Sequence, residues 1–260
     1  MLPNLGFSVI IMEVQIVSYI LGLNSTEKLS ITADIIDNSN SDLIFFPGDT
    51  LDTIDDALNL MNIIRNKKST ILFEVSQLPI GDLNDEIIHC PFLIQKGKLI
   101  NLHTFQFFTT SDIIENNVFL AEAFVNELET RRQFEVGDYK CMVLLCGENN
   151  ILKNLQSDNN RIIFRVDDNQ LEKRFKKVIN GVDMILNPIH KPQSGNQNKL
   201  HKRREYFSKN KRVYLSTNNC ETLSSYAKSI QYIYYNGEEL EKTEPLFDDE
   251  KKYMYRLFEL

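Results

Sequence analysis

Residues 139–150 read Tyr-Lys-Cys-Met-Val-Leu-Leu-Cys-Gly-Glu-Asn-Asn (YKCMVLLCGENN). A short apolar run bounded by turn residues predicts a buried strand. This one stops at Cys146, with Gly147 and Glu148 directly after it. A thiol where a strand gives way to a turn is either core filler or a nucleophile held up on a bend. Upstream of it the chain alternates between two periods. Asn24-Ser-Thr-Glu27 has the form of a capping box, followed by Leu29, Ala33 and Ile36 on one helical face. Ser41 to Pro47 is a buried strand ending at Pro-Gly, and Thr53 opens a second helix with Ile54, Leu58, Met61 and Ile64 inward. Thr70 to Ser76 is another buried strand, so this part reads β-α-β-α-β.

The style then changes. Glu86 to Gln95 and Lys98 to Phe108 flank Lys96-Gly97 and predict a β-hairpin. Beyond the opening stretch, residues 170–181 predict a helix closing on Asn180-Gly181. Strands are predicted at Asp183 to Asn187 and Arg212 to Thr217, with a basic helix at 199–210 between them. Ile230 to Leu240 forms a hairpin over Asn236-Gly237, and Tyr253 to Phe258 is a last strand. With no internal repeat or low-complexity linker, the reading is a single domain over 13–260 behind a short extension, 1–12.

Composition excludes several classes. The chain has 260 residues, 42% hydrophobic and 25% charged, which suits a globular protein with a sizeable core. A net charge of −7 argues against nucleic acid or an anionic membrane as the main partner. Four cysteines with no Cys-x-x-Cys spacing make neither a disulfide framework nor a zinc site, and point to reduced thiols in the cytoplasm. No cofactor or metal motif stands out. Leu5 to Leu23 is apolar but carries Glu13 and Gln15 near its centre, so a buried strand at Val14 to Ile20 is expected rather than a membrane span.

Five fragments in order resemble the nitrilase, or carbon–nitrogen hydrolase, superfamily. DLIFFPGDT (42–50) resembles its strand ending in Phe-Pro-Glu, and VLLCGENNIL its nucleophile turn. GVDMILNP (181–188), RVYLSTNNC (212–220) and IQYIYYNGEEL (230–240) resemble its later strands. The resemblance implies a four-layer α-β-β-α sandwich, a Glu-Lys-Cys triad acting on amides or nitriles through a covalent thioester or thioimidate, and a homodimer. Carried over, the nucleophile falls on Cys146. The base falls on Gly48, and the lysine near Phe105 or Gln106, with no lysine between Lys98 and Lys140. With those two lost, the resemblance implies a degenerate site that binds a small amide-like or acyl ligand, or a partner, without efficient hydrolysis.

The residues also support a working cysteine amidase or acyl-transfer enzyme. Asp49 follows the expected base position, and the glycine before it gives the turn freedom to present it. Glu74 is a carboxylate inside ILFEV, where a buried parallel strand normally runs apolar. Glu148 stands at the family's acidic position after the nucleophile, as a hydrogen-bond acceptor. His103 lies two residues before Phe105, on the same face of a strand, and offers a donor in place of the lysine. Two features lie apart from this chemistry. Lys199 to Arg212 carries seven Lys or Arg, an anion or nucleic-acid patch if exposed. IIFRV at 162–166 predicts an inserted strand near the mouth of the site.

Overall fold

The computed structural model describes residues 12–76, 88–190 and 197–260. Strand β1 (Glu13–Tyr19) leads through helix α1 (Ser25–Asn38) to β2 (Leu43–Phe45), and through α2 (Ile54–Ile63) to β3 (Thr70–Val75). These three strands run parallel, and β4 (Cys90–Gln95) and β5 (Lys98–Asn101) continue the sheet antiparallel. Helices α3 (Ser111–Ile114) and α4 (Val118–Thr130) lead to β6 (Gln133–Val136) and β7 (Tyr139–Val143). A separate ladder of β8 (Leu152–Leu155) and β9 (Arg161–Phe164) precedes α5 (Asn169–Asn180) and β10 (Met184–Ile189). Then come α6 (Gln197–Phe207), β11 (Val213–Asn218), α7 (Leu223–Tyr226), β12 (Gln231–Tyr235), β13 (Glu238–Glu239), β14 (Leu246–Phe247) and β15 (Tyr253–Glu259).

One sheet has the order β14-β15-β1-β2-β3-β4-β5, the other β13-β12-β11-β10-β7-β6. Registered rows of side chains close the space between them. Ile16, Phe45, Leu72 and Leu93 are neighbours across the first sheet, and Val143, Leu186, Leu215 and Ile233 across the second. Both rows belong to one apolar cluster. Because side chains alternate along a strand, the next residues face outward. Val17, Ile44 and Phe73 pack with Ile36 and Leu60 of α1 and α2, while Met142, Ile185 and Tyr214 pack with Phe124, Phe175 and Phe207 of α4, α5 and α6. The result is a four-layer α-β-β-α sandwich.

The helices start where the chemistry predicts. Asn24 with Glu27 and Thr53 with Asp56 both form complete capping boxes, and Asp168 caps α5, which ends at Gly181. Some expectations need correcting. Leu58 is 51% exposed, and α2 instead buries Ala57 and Leu60, while Ile64 just past its end is buried as expected. Leu58 sits about 100° around the helix from Ala57, on its outer side. The strand expected to run from Lys98 to Phe108 stops at Asn101, whose side chain accepts from His103 N at 2.7 Å and makes a turn with His103 at φ 51°. The hairpin's expected start at Glu86 lies outside the described residues, as do positions 1–11 of the expected extension. Met12 already pairs with Leu260 along the first sheet.

The basic run is turned inward more than its charge suggests. Arg203, Arg204 and Arg212 are buried. Arg203 bonds Asn150 and Asn154, Arg204 lies 3.6 Å over the Tyr232 ring, and Arg212 bonds the Phe207 and Ile179 carbonyls. The inserted strand pairs as β8–β9, and its Leu152 and Phe164 join the outer helical layer. No helix among the described residues is long and apolar enough to cross a membrane.

Candidate active site

Cys146, Gly48, Glu74 and His190 all lie at or just beyond the carboxyl ends of parallel strands, β7, β2, β3 and β10 respectively. Open α/β sheets place their ligands at that end. A cavity of about 890 Å³ at the amino ends, lined by Met12, Asp42, Thr70 and Asp183 among others, has no cysteine or histidine in its lining. Convergence of reactive groups, not cavity size, marks the site.

The turn that carries Cys146 is tightly held. Gly147 has φ 84°, and a Cβ there would meet Thr109 O at 2.4 Å, so both its conformation and its space require glycine. Glu148 is fully buried and fully engaged. Its two oxygens accept from Arg132 Nη1 at 2.9 Å and Nη2 at 3.0 Å, from Leu145 N at 2.7 Å and from Phe107 N at 3.0 Å. Arg132, itself buried, also donates to Thr104 Oγ1 and Phe105 O. Glu148 therefore anchors the turn that carries Cys146 and has no lone pair pointed at the chemistry. Asn187 straps the other side, donating to Leu144 O at 2.6 Å and Leu145 O at 3.2 Å.

Glu74 explains its own oddity. Alternation along β3 sets it on the same face as Leu72, toward the second sheet, at the strand's end. Its Oε1 accepts from Asp49 N at 3.1 Å and lies 3.0 Å from His89 Nδ1 and 2.6 Å from His190 Nε2. Oε2 is buried with no partner among the described residues. The two imidazoles stack, with ring centroids 3.8 Å apart. Burial pushes the Glu74 carboxyl up, but His190 and His89 outweigh it and hold the carboxyl down at about 2. Burial pulls His190 down; the Glu74 carboxylate and then the Cys146 sulfur, its other side-chain partner, outweigh that and raise it to about 11.

Gly48 makes this arrangement possible. A Cβ on it would lie 2.1 Å from His190 Cδ2 and 2.9 Å from Nε2. The imidazole thus fills the space where a side chain at position 48 would begin. The glycine does not serve to bend the turn, as its sequence context suggested, because the left-handed residue is Asp49 at φ 58°. Asp49 bonds Ser76 Oγ at 2.5 Å and lies 3.4 Å from His89. His103 is exposed on its turn, and its ring makes no hydrogen bond or ion pair among the described residues. Phe105 is 48% exposed and stacks on Phe107. His89 and His190 were not among the candidates. The available signal was position: His190 ends the MILNPI strand and His89 opens the CPFLIQ strand.

A two-sheet sandwich with a cysteine on the turn after a central parallel strand is the carbon–nitrogen hydrolase fold, and the chain has it. Solved structures align over nearly its whole length. The amidase of Nesterenkonia AN1, from the nitrilase superfamily, matches with TM-score 0.57 at 9% identity, over 95% of this chain and 90% of that one. The glutamine-dependent NAD(+) synthetase from Cytophaga hutchinsonii matches with TM-score 0.58 at 10% identity, over 96% of this chain and 43% of that one. The corresponding synthetase of Acinetobacter baumannii gives 0.54 at 13% identity, over 95% and 47%. The chain thus spans less than half the length of these synthetases. No family model and no curated protein matches it by sequence.

Proposed function

We propose that the protein is a cysteine-dependent acyl hydrolase or acyl transferase acting on carboxamide-type substrates, in which a Cys146–His190–Glu74 relay replaces the superfamily's Glu-Lys-Cys triad. The observation that carries this reading is His190, whose Nε2 lies 2.6 Å from the buried Glu74 carboxylate and whose imidazole also has Cys146 as a side-chain partner. A base that is itself oriented by a third group is the general signature of an activated nucleophile. It favours chemistry over the silent, binding-only site that Gly48 and Phe105 imply.

In this mechanism His190 is the imidazolium that Glu74 stabilises, and the sulfur attacks the carbonyl carbon as the thiolate paired with it. The resulting tetrahedral oxyanion collapses, the C–N bond breaks, and His190 gives its proton to the departing amine. Water, deprotonated by the same imidazole, then cleaves the thioester to release the acid and restore the thiolate; an acceptor amine or alcohol in place of water gives transfer. No lysine supports the oxyanion. The backbone N–H groups of Cys146 and Gly147 have no hydrogen bond among the described residues and are the available donors.

The test is the rate of Cys146 alkylation by iodoacetamide at a fixed neutral pH, read site by site by mass spectrometry. Buried Cys90 and Cys141, each pushed up to about 12 by burial, serve as unreactive internal references. Wild type should alkylate selectively at Cys146 and form a Cys146 acyl adduct with activated esters. His190→Gln should slow both by roughly tenfold to thirtyfold, the fall from a full thiolate to the few per cent that an ordinary thiol carries at neutral pH. Equal rates in wild type and His190→Gln sink the proposal.

A further inference from the structure

Four side chains around the relay converge more closely than the relay needs. Asp49, Glu74, His89 and His190 each offer one ligand atom, and these atoms all lie within 4.8 Å of one another. Neither Asp49 nor His89 has a place in the acyl mechanism. We propose that this cluster is a binding site for a divalent transition-metal ion of the zinc class, held by two imidazole nitrogens and two carboxylates, and that the ion switches the cysteine chemistry off.

Spacing supports the site. Ligands at 2.0–2.2 Å from a tetrahedral ion stand about 3.3 Å apart. The neighbouring donor pairs here are 2.6 Å (His190 Nε2 to Glu74 Oε1), 3.0 Å (His89 Nδ1 to Glu74 Oε1) and 3.4 Å (His89 Nδ1 to Asp49 Oδ1). An ion has to part the first two contacts by about 0.7 and 0.3 Å to reach that spacing, and the third already has it. A second, independent observation is Glu74 Oε2, an oxygen on a side chain with no exposed surface that has no partner among the described residues. Burying such an oxygen unpaired is costly, and coordination satisfies it where the carboxylate turns to bring Oε2 onto the ion and leaves Oε1 to the Asp49 N–H. Two nitrogens with two hard oxygens suit zinc, iron or cobalt better than magnesium or calcium. Access exists, because Asp49 keeps 30% of its side-chain surface exposed and each histidine 15%.

The off-switch follows from the bonding of imidazole. A neutral ring has one lone pair in its plane. Whichever nitrogen faces the sulfur, a metal-bound His190 has no lone pair left to accept the Cys146 proton. Turnover and metal occupancy are then mutually exclusive. This second half rests on the acyl-transfer reading; the site itself does not.

The experiment uses the intact chain, zinc and cobalt salts alone, and two readouts. After dialysis against limiting Zn²⁺, wild type should retain one equivalent, and Co²⁺ should give the d–d absorption of a nitrogen–oxygen site without a thiolate charge-transfer band. His89→Gln and Asp49→Asn should lose that equivalent, and Cys146→Ser should keep it. No uptake by wild type, or uptake lost in Cys146→Ser and kept in the other two, overturns the site. Bound Zn²⁺ should slow Cys146 alkylation by roughly tenfold or more, through the thiolate lost with the imidazole partner it removes. Zinc uptake with unchanged alkylation overturns the switch and leaves the site standing. A failed relay shows itself separately, as a wild type that alkylates no faster than His190→Gln in the absence of metal.

Discussion

Gly48 shows how one missing atom sets the chemistry of a site. Glycine at this position leaves room for the His190 ring, and a single methyl would meet it at 2.1 Å. Gly48→Ala should therefore displace the imidazole and bring Cys146 alkylation down to the level of His190→Gln. Adding the second substitution to the first should cost nothing more, since both remove the same group. Mass-spectrometric rates on the two single variants and the double variant check this. At this scale the sequence was partly legible. A carboxylate in ILFEV announces itself, because a charge in a buried strand needs a reason. His190 announces nothing: its importance depends on Gly48, which is far away in sequence and adjacent in space.

The turn after β7 is positioned by a neighbouring element as much as by its own residues. Arg132 stands between α4 and β6, with both its side chain and that of Glu148 without exposed surface. Arg132→Met leaves the Glu148 charge buried and alone, and should cost roughly 3–5 kcal/mol in urea unfolding. Replacing Glu148 as well, with leucine, should recover part of that loss while loosening the nucleophile turn. The double variant should therefore regain stability without regaining Cys146 reactivity. The capping boxes of α1 and α2 were readable because Asn24/Glu27 and Thr53/Asp56 are three apart in the chain. The period of α4, with Ala121, Phe124, Val125 and Leu128 buried, is equally plain. The aromatic run at Phe105–Phe108 misleads, because it reads as strand and in the structure is irregular chain tied to Glu148.

For the whole molecule, the layer between the sheets carries the fold. Leu186 lies fully buried in the middle of the second row, beside Val143 and Leu215. Leu186→Ala should lower unfolding free energy by roughly 2–5 kcal/mol, the usual range for such a deletion, measured by chemical denaturation. The four layers were legible because strands buried on both faces read as unbroken apolar runs, and five fragments kept their order. The site was legible only in part: Cys146, Glu74 and Asp49 stand out singly, but the ends of four strands that bring them to His190 are far apart in sequence. A side chain at position 48 and the present seat of the His190 ring exclude one another, so the two positions can change only as a pair. The sheets do not depend on that pair, in keeping with a fold that is plain in space and silent to sequence comparison.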